Sequence, residues 1–276
     1  IYRTAFDDPL TGMGTIILGL LIFVGLLGPY LPLGDPEAIG VGPRLAPPSW
    51  NWPLGTDELG RSILPRAVEA IGTTFVLAIF SVIGTAIIGT IAGMAAGYSG
   101  GLLDMIVMRL ADVLFSFPGL LLAILLVAVI GPGKVSAMIA IVLITLPLFV
   151  RVIRAVTLTV AEKDFLITAK ISGASYLRIL SVHILPNITG ALIIQLSYAM
   201  SVAILIESAL SFLGLGVQPP EASLGSLLRL GTRFIGIAPW LAFAPGLLVI
   251  AAILSINLIG DGLRDRLDPL KGKNLQ

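Results

Sequence analysis

From its N-terminus the chain alternates long apolar runs with short polar connections. Six runs lack Asp, Glu, Lys and Arg altogether: Pro9–Gly34, Ala70–Leu103, Val113–Gly133, Val135–Val150, Ile179–Ile206 and Phe234–Gly260. A helix needs about 20 apolar residues to cross the hydrocarbon core of a bilayer, so the pattern predicts six transmembrane helices. The fourth run is short, but Arg151 and Arg154 just beyond it can snorkel and extend the span. Six such runs in one chain argue against hydrophobic helices buried in a soluble core. The first run has no small-x-small cleavage site ahead of Pro29 and Pro32, and is expected to be a retained anchor.

Composition agrees with this reading. Of 276 residues, 57% are hydrophobic and 12% charged, about half the charge of a soluble domain. The formal net charge of +1 supplies no basic face for nucleic acid. The absence of cysteine excludes disulfides, thiol catalysis and thiolate metal sites. Lys and Arg are unevenly placed among the connections. With the N-terminus inside, 11 of the 17 cations lie on cytoplasmic segments, and the positive-inside rule then puts both termini in the cytoplasm. Arg3, Lys271 and Lys273 belong to that count.

Little in the chain promises catalysis. A single histidine, His183, leaves no multi-His metal site. Gly97-Tyr98-Ser99-Gly100-Gly101 fits the G-x-S-x-G of serine hydrolases, but Ser99 would have only His183 as base; a glycine-rich turn ending a helix is the simpler reading. No phosphate-binding G-x-x-x-x-G-K-[ST] occurs, so nucleotide hydrolysis would belong to another polypeptide. Gly89, Gly93 and Gly97 repeat at four-residue spacing, which lets another helix approach closely, in this chain or a partner. Pro118, Pro147 and Pro245 fall in or near spans and can kink them. Glu207 is the one acid inside a predicted span. It reads either as a substrate or gate contact or as a buried carboxylate bonded to Ser208, Ser211 or nearby backbone.

The connection 151–187 carries the densest cationic run. Within it Asp164 can cap one short helix, Gly173 can end it, and Ser175 can cap a second. In the second, Leu177, Leu180 and Ile184 fall on one stripe, and Pro186-Asn187 should stop that helix and start the fifth span. Two short helices projecting from an inner loop make a knob that a cytoplasmic partner could grip, or a pair lying on lipid. The other long connection, Tyr30–Glu69, is rich in Pro, Gly and Trp and is expected to be an ordered outer excursion on the membrane surface.

This loop resembles the cytoplasmic E-A-A…G…I-x-L-P signature of ABC importer permeases: Ile167-Thr168-Ala169 stands for E-A-A, Gly173 for the glycine, and His183-Ile184-Leu185-Pro186 closes it. Leu54-Gly55-Thr56-Asp57-Glu58-Leu59-Gly60-Arg61 is similar to the L-G-T-D-x-x-G-R of the dipeptide/oligopeptide/nickel permeases. So are Ser211-Phe212-Leu213-Gly214-Leu215-Gly216 with Pro219-Pro220 and Gly225, and the ending Asn257…Gly260-Asp261…Arg264-Asp265…Asp268-Pro269. The resemblance, to the "C" permease of that group, implies an all-α integral membrane protein of the type I ABC importer fold. Residues 1–69 would form the tail, first helix and outer loop, 70–260 the permease core, and 261–276 a cytoplasmic tail.

The same resemblance implies a non-enzymatic subunit that moves di- or oligopeptides inward, with a nickel or metal-chelate cargo as the alternative and an intramembrane hydrolase behind both. Its partners would be a homologous second permease, two cytoplasmic ATPases that hold ATP and Mg²⁺, an extracytoplasmic binding protein and the lipid membrane; this chain would hold no cofactor and no metal. Ala169, Lys170, Gly173, Ala174, Leu177 and Pro186 would couple to the ATPases. Gly55, Asp57, Arg61, Pro219 and Pro220 would meet the binding protein.

Overall fold

A computed structural model describes residues 8–267; Arg3, Asp268, Pro269, Lys271 and Lys273 lie outside the described residues. Among the described residues the regular elements are helices, with an irregular outer loop over 31–62 that holds one isolated bridge pairing Thr56 with Ser62. Helix α1 (Pro9–Leu27) is capped by Asp8, whose side chain accepts from the Thr11 amide. After the outer loop come α2 (Ile63–Ser99), α3 (Gly101–Ser116), α4 (Gly119–Ile130) and α5 (Lys134–Ala161). Short α6 (Asp164–Ile171) and α7 (Tyr176–Arg178) follow. A π-helical segment, Ile179–Ile184, leads into α8 (Leu185–Leu213), and α9 (Leu224–Arg233) and α10 (Trp240–Leu267) complete the chain.

Among the described residues five helices are long and apolar enough to cross a membrane. The expected third span is not one straight helix: α3 and α4 meet at a bend of 91°. Pro118 explains the break, because it has no N–H to give and its ring bars the helical region to the residue before it. Phe117 is accordingly extended, with φ −87° and ψ 136°. The fourth span is also longer than its charge-free run, since α5 continues past Arg151 and Arg154. Both arginines are paired within the chain. Arg154 pairs with Asp104, Arg151 pairs with Asp112 at 2.8 Å, and the Arg151 guanidinium lies 4.6 Å from the centre of the Phe115 ring, which ties α3 to α5.

The repeated glycines of α2 pack within the chain. A Cβ on Gly89 would meet the Phe149 ring, one on Gly93 would lie 2.8 Å from Ile153 Cβ, and one on Gly97 would lie 2.8 Å from both the Arg154 carbonyl and Thr157 Cβ. Three successive turns of α2 therefore press against α5 at backbone distance. Between them Thr85 and Thr145 share a buried hydrogen bond of 2.8 Å; such side-chain bonds, with small residues at the crossing, hold helices together where lipid gives no hydrophobic drive. On the other side α8 meets α10 through Ser201 and Asn257, 2.7 Å apart. Helix α1 lies on α10 where Gly14 faces Leu258 and Ser255.

Candidate functional site

Helices α5 and α8 both reach the same end of the bundle, and the chain between them makes a knob. Its base is fixed by Leu166, Ile179, Ile184 and Ile188, all buried in the main core. Helix α6 stops in a Schellman turn: Gly173 N–H donates to the Lys170 carbonyl at 3.1 Å and Ala174 N–H to the Ala169 carbonyl at 3.1 Å. Gly173 takes φ +79° there, which costs glycine little and other residues about 1–2 kcal/mol. Ala169 and Ala174 are half-buried beneath this turn, whereas Lys170 and Leu177 are exposed. Asp164 is the first helical residue rather than the cap.

The second helix of the loop departs from expectation. It does not stop at Pro186 but runs unbroken into α8, so that Tyr176–Leu213 form one 38-residue helical stretch. The proline is absorbed by the wide turn before it, where Leu185 N–H bonds back to the Leu180 carbonyl, five residues earlier. A wide turn of this kind relieves the clash that a proline ring makes with the carbonyl four residues back. It also changes the register of the buried face. Ile179 and Ile184, five apart, lie on the inside with 2% and 0% exposure, while Leu177 is released outward at 75%. The stripe expected from ordinary helical spacing, Leu177–Leu180–Ile184, is therefore not one face. Pro186 is exposed.

Two side chains not singled out for coupling are the most telling. Ile171 is 82% exposed and Ile167 is 51% exposed, and with Leu177 they make an apolar cap on a polar loop. Both are isoleucines on a short helix whose one buried residue is Leu166, so its other apolar positions face outward. Tyr176 joins the knob to the end of α2, its ring 5.6 Å from that of Tyr98 and its hydroxyl 3.0 Å from Ser99 Oγ. Ser99 is thus engaged with a tyrosine, and no bond joins it to His183.

At the opposite end of α8, Glu207 is fully buried. Ser211 Oγ donates to it at 2.7 Å, and the hydroxyls of Thr74, Ser208 and Ser223 surround it. Thr74 accepts from the Leu224 amide at 3.1 Å, while Ser223 and Ser226 form a capping box for α9. This knot binds α2, α8 and α9 together, and Gly225 presses on the Ser208 backbone. Within this chain Glu207 is a buried carboxylate, and its second oxygen has no hydrogen-bond partner among the described residues.

Asp57 is also fully buried. Its carboxylate accepts from the amides of Leu59 and Arg61, each at 2.9 Å, and from Arg61 Nε at 2.6 Å. Gly55 is buried with φ +80°, and a Cβ there would lie 2.5 Å from the Ala46 carbonyl and 2.8 Å from Trp240 Nε1. Both residues shape the outer loop from within rather than offering a surface. Arg61 is half-buried, and Pro219 and Pro220, joined by a cis peptide, are exposed. Arg61 and Pro219 line a cleft of about 280 Å³ beside α9. No group of three or more His, Cys, Asp or Glu among the described residues is placed to hold a metal.

A bundle of membrane-length helices, closely packed through glycines and bearing an apolar knob at one end and a charged cleft at the other, defines a multi-pass membrane protein. Residues 89–273 match the family of binding-protein-dependent transport system inner membrane components, and the chain belongs to that family. It is 39% identical to the di/tripeptide transport system permease protein DppC of Pseudomonas aeruginosa over 93% of this chain and 86% of that one. To the dipeptide transport system permease protein DppC of Alkalihalophilus pseudofirmus it is 38% identical over 97% and 90%. The glutathione transport system permease protein GsiD of Pectobacterium atrosepticum is 39% identical over 91% and 83%.

Among solved structures, a chain of the MetNI methionine ABC transporter matches with a TM-score of 0.60 at 15% identity, covering 75% of this chain and 98% of that one. The fold is that of a type I ABC importer permease, a multi-pass inner-membrane component that works with ATPase and substrate-binding components. The hydrolase reading of Ser99 is thereby set aside, by family and by geometry alike.

Proposed function

We propose that this chain is one of two homologous permeases of an importer that carries di- or oligopeptides into the cytoplasm, driven by ATP hydrolysis on two separate subunits. The observation that carries the reading is the knob: Ile167, Ile171 and Leu177 expose apolar surface on a rigidly anchored loop, as a docking element for a protein partner does. Both termini and the knob lie in the cytoplasm, in keeping with the distribution of Lys and Arg, and α9 with the outer loop faces the binding protein. ATP and Mg²⁺ belong to the partner ATPases. The names of the relatives speak for peptide cargo, including the glutathione permease. Reconstitution of the complex in proteoliposomes tests this. Uptake of a labelled dipeptide should require ATP outside the vesicle on the knob side and the binding protein on the other. Uptake of Ni²⁺ without peptide, or of neither, contradicts it.

A further inference from the structure

The cleft beside α9 holds two polar atoms that the folded chain leaves without partners. Arg66, Ser211, Val217 and Leu227 line it from the buried side, and Ser211 is the residue that donates to Glu207. Arg66 is 5% exposed. One of its N–H groups donates to the Pro36 carbonyl at 3.1 Å, but its Nε–H is buried and meets no acceptor among the described residues. In the same cleft Glu58 has a buried carboxylate oxygen, Oε2, that meets no donor among them. Leaving a buried polar atom unpaired costs about 1–3 kcal/mol, and more where the group is charged. The pair marks a place where a ligand supplies what the chain does not.

The charges along the cleft divide into those matched within the chain and those that are not. Arg61 is paired with buried Asp57, and Glu221 with Lys134. Arg66 lies in the field of Arg61, Asp57, Glu69 and Glu58 without a bond from its Nε–H to any of them. Arg229 and Arg233 stand exposed at the rim, one turn apart on α9. Among the described residues Arg66, Arg229, Arg233 and Glu58 are in no ion pair. A ligand that is only an anion leaves Glu58 unmatched, and one that is only a cation leaves the arginines so. The lining fits a solute that carries both charges.

We infer that this cleft is a receiving site for the peptide cargo itself, in which Glu58 takes the N-terminal ammonium and Arg66, with the rim arginines, takes the C-terminal carboxylate. The inference deepens the function proposed above and rests on it. A volume of about 280 Å³ lies at the small end of solute sites and suits a dipeptide, whose two residues span about 7 Å when extended. Both contacts are charge-assisted hydrogen bonds, about twice as strong as neutral ones. They recognise the two ends that every free peptide has, without reading its side chains. Three unpaired arginines against one glutamate also make the cleft hold acidic dipeptides more tightly than basic ones.

The test is equilibrium binding of radiolabelled Ala-Ala to the assembled importer in nanodiscs, without the binding protein and without ATP. Saturable binding is expected, weakened about tenfold by N-acetylation or by C-terminal amidation of the dipeptide. Glu58→Gln should weaken free Ala-Ala about five- to tenfold and leave the N-acetylated form unaffected. Arg66→Gln should weaken free Ala-Ala and spare the C-terminal amide; if that variant fails to fold, the Glu58 arm and the blocked peptides still decide. Equal binding of free and blocked dipeptides, unchanged binding in Glu58→Gln, or no saturable binding to a complex that imports peptide overturns the site and leaves the proposed function standing. Displacement of Ala-Ala by equimolar glycerophosphoethanolamine would give the cleft to a lipid headgroup with the same two charges, and overturns it likewise. A complex that imports no peptide overturns the functional reading as well.

Discussion

Removing the apolar cap of the knob should detach the ATPase without harming the permease. Ile171→Ala and Leu177→Ala each delete three carbons, a transfer worth about 0.8 kcal/mol per group. These side chains are 82% and 75% exposed, so most of that surface remains to be covered by a partner. Full burial on docking makes each truncation cost about 2 kcal/mol and the pair about 2–4 kcal/mol, allowing for non-additivity between neighbours. That is about 30- to 1,000-fold in Kd. The same side chains contribute almost nothing to the folded chain, so its thermal stability in detergent should be unchanged. The assay is titration of the purified ATPase onto the permease pair in nanodiscs, beside a melting curve of each variant. Affinity within threefold of wild type would refute the docking argument. A fall in melting temperature matching the loss of affinity would show that these residues belong to the core.

Three further outcomes follow from the packing. Asp57→Ala orphans two amides and leaves Arg61 without its partner, costing about 3–5 kcal/mol; limited proteolysis should then cut the 31–62 loop, and an uncut loop contradicts the assigned role. Gly93→Leu forces a side chain into a gap where even a Cβ lies 2.8 Å from Ile153, and a loss of about 1–3 kcal/mol or more should appear as a lower melting temperature, while an unchanged one would mean that α2 and α5 are not pressed together there. Tyr176→Phe removes the 3.0 Å bond to Ser99 but keeps the ring against Tyr98; amide exchange over 176–184 should accelerate about two- to tenfold, matching about 0.5–1.4 kcal/mol, and unaltered exchange would show that the bond does not hold the knob.

Much of the architecture was legible from charge-free runs, because the bilayer makes length and apolarity the dominant constraint. Where those runs misled, a backbone detail had intervened. Pro118 broke the third span because its effect falls on Phe117, and hydropathy does not register a backbone dihedral. The π segment moved Leu177 outward because a five-residue step replaced the usual spacing, and that step answers a proline several residues downstream. Arg151 and Arg154 looked like membrane-edge cations because their acids, Asp112 and Asp104, lie on another helix.

The candidate sites divided in the same manner. Gly173 could be placed from sequence, since a glycine closing a short helix has one common use. Gly55 and Asp57 were expected to meet a binding protein and Glu207 to face a pathway or lie buried; that all three are buried depends on packing that the sequence does not display. Ile171, Arg229 and Arg233 were missed because an exposed face is defined by what packs behind it.

The central claim is that the knob converts ATPase motion into transport, and the number of peptides taken up per ATP hydrolysed tests it most directly. Gly173→Pro cannot adopt the positive φ of the Schellman turn and lacks the N–H that bonds to Lys170. The account predicts an assembled complex that still hydrolyses ATP but whose uptake per ATP falls at least tenfold. An unchanged ratio in that variant would contradict it.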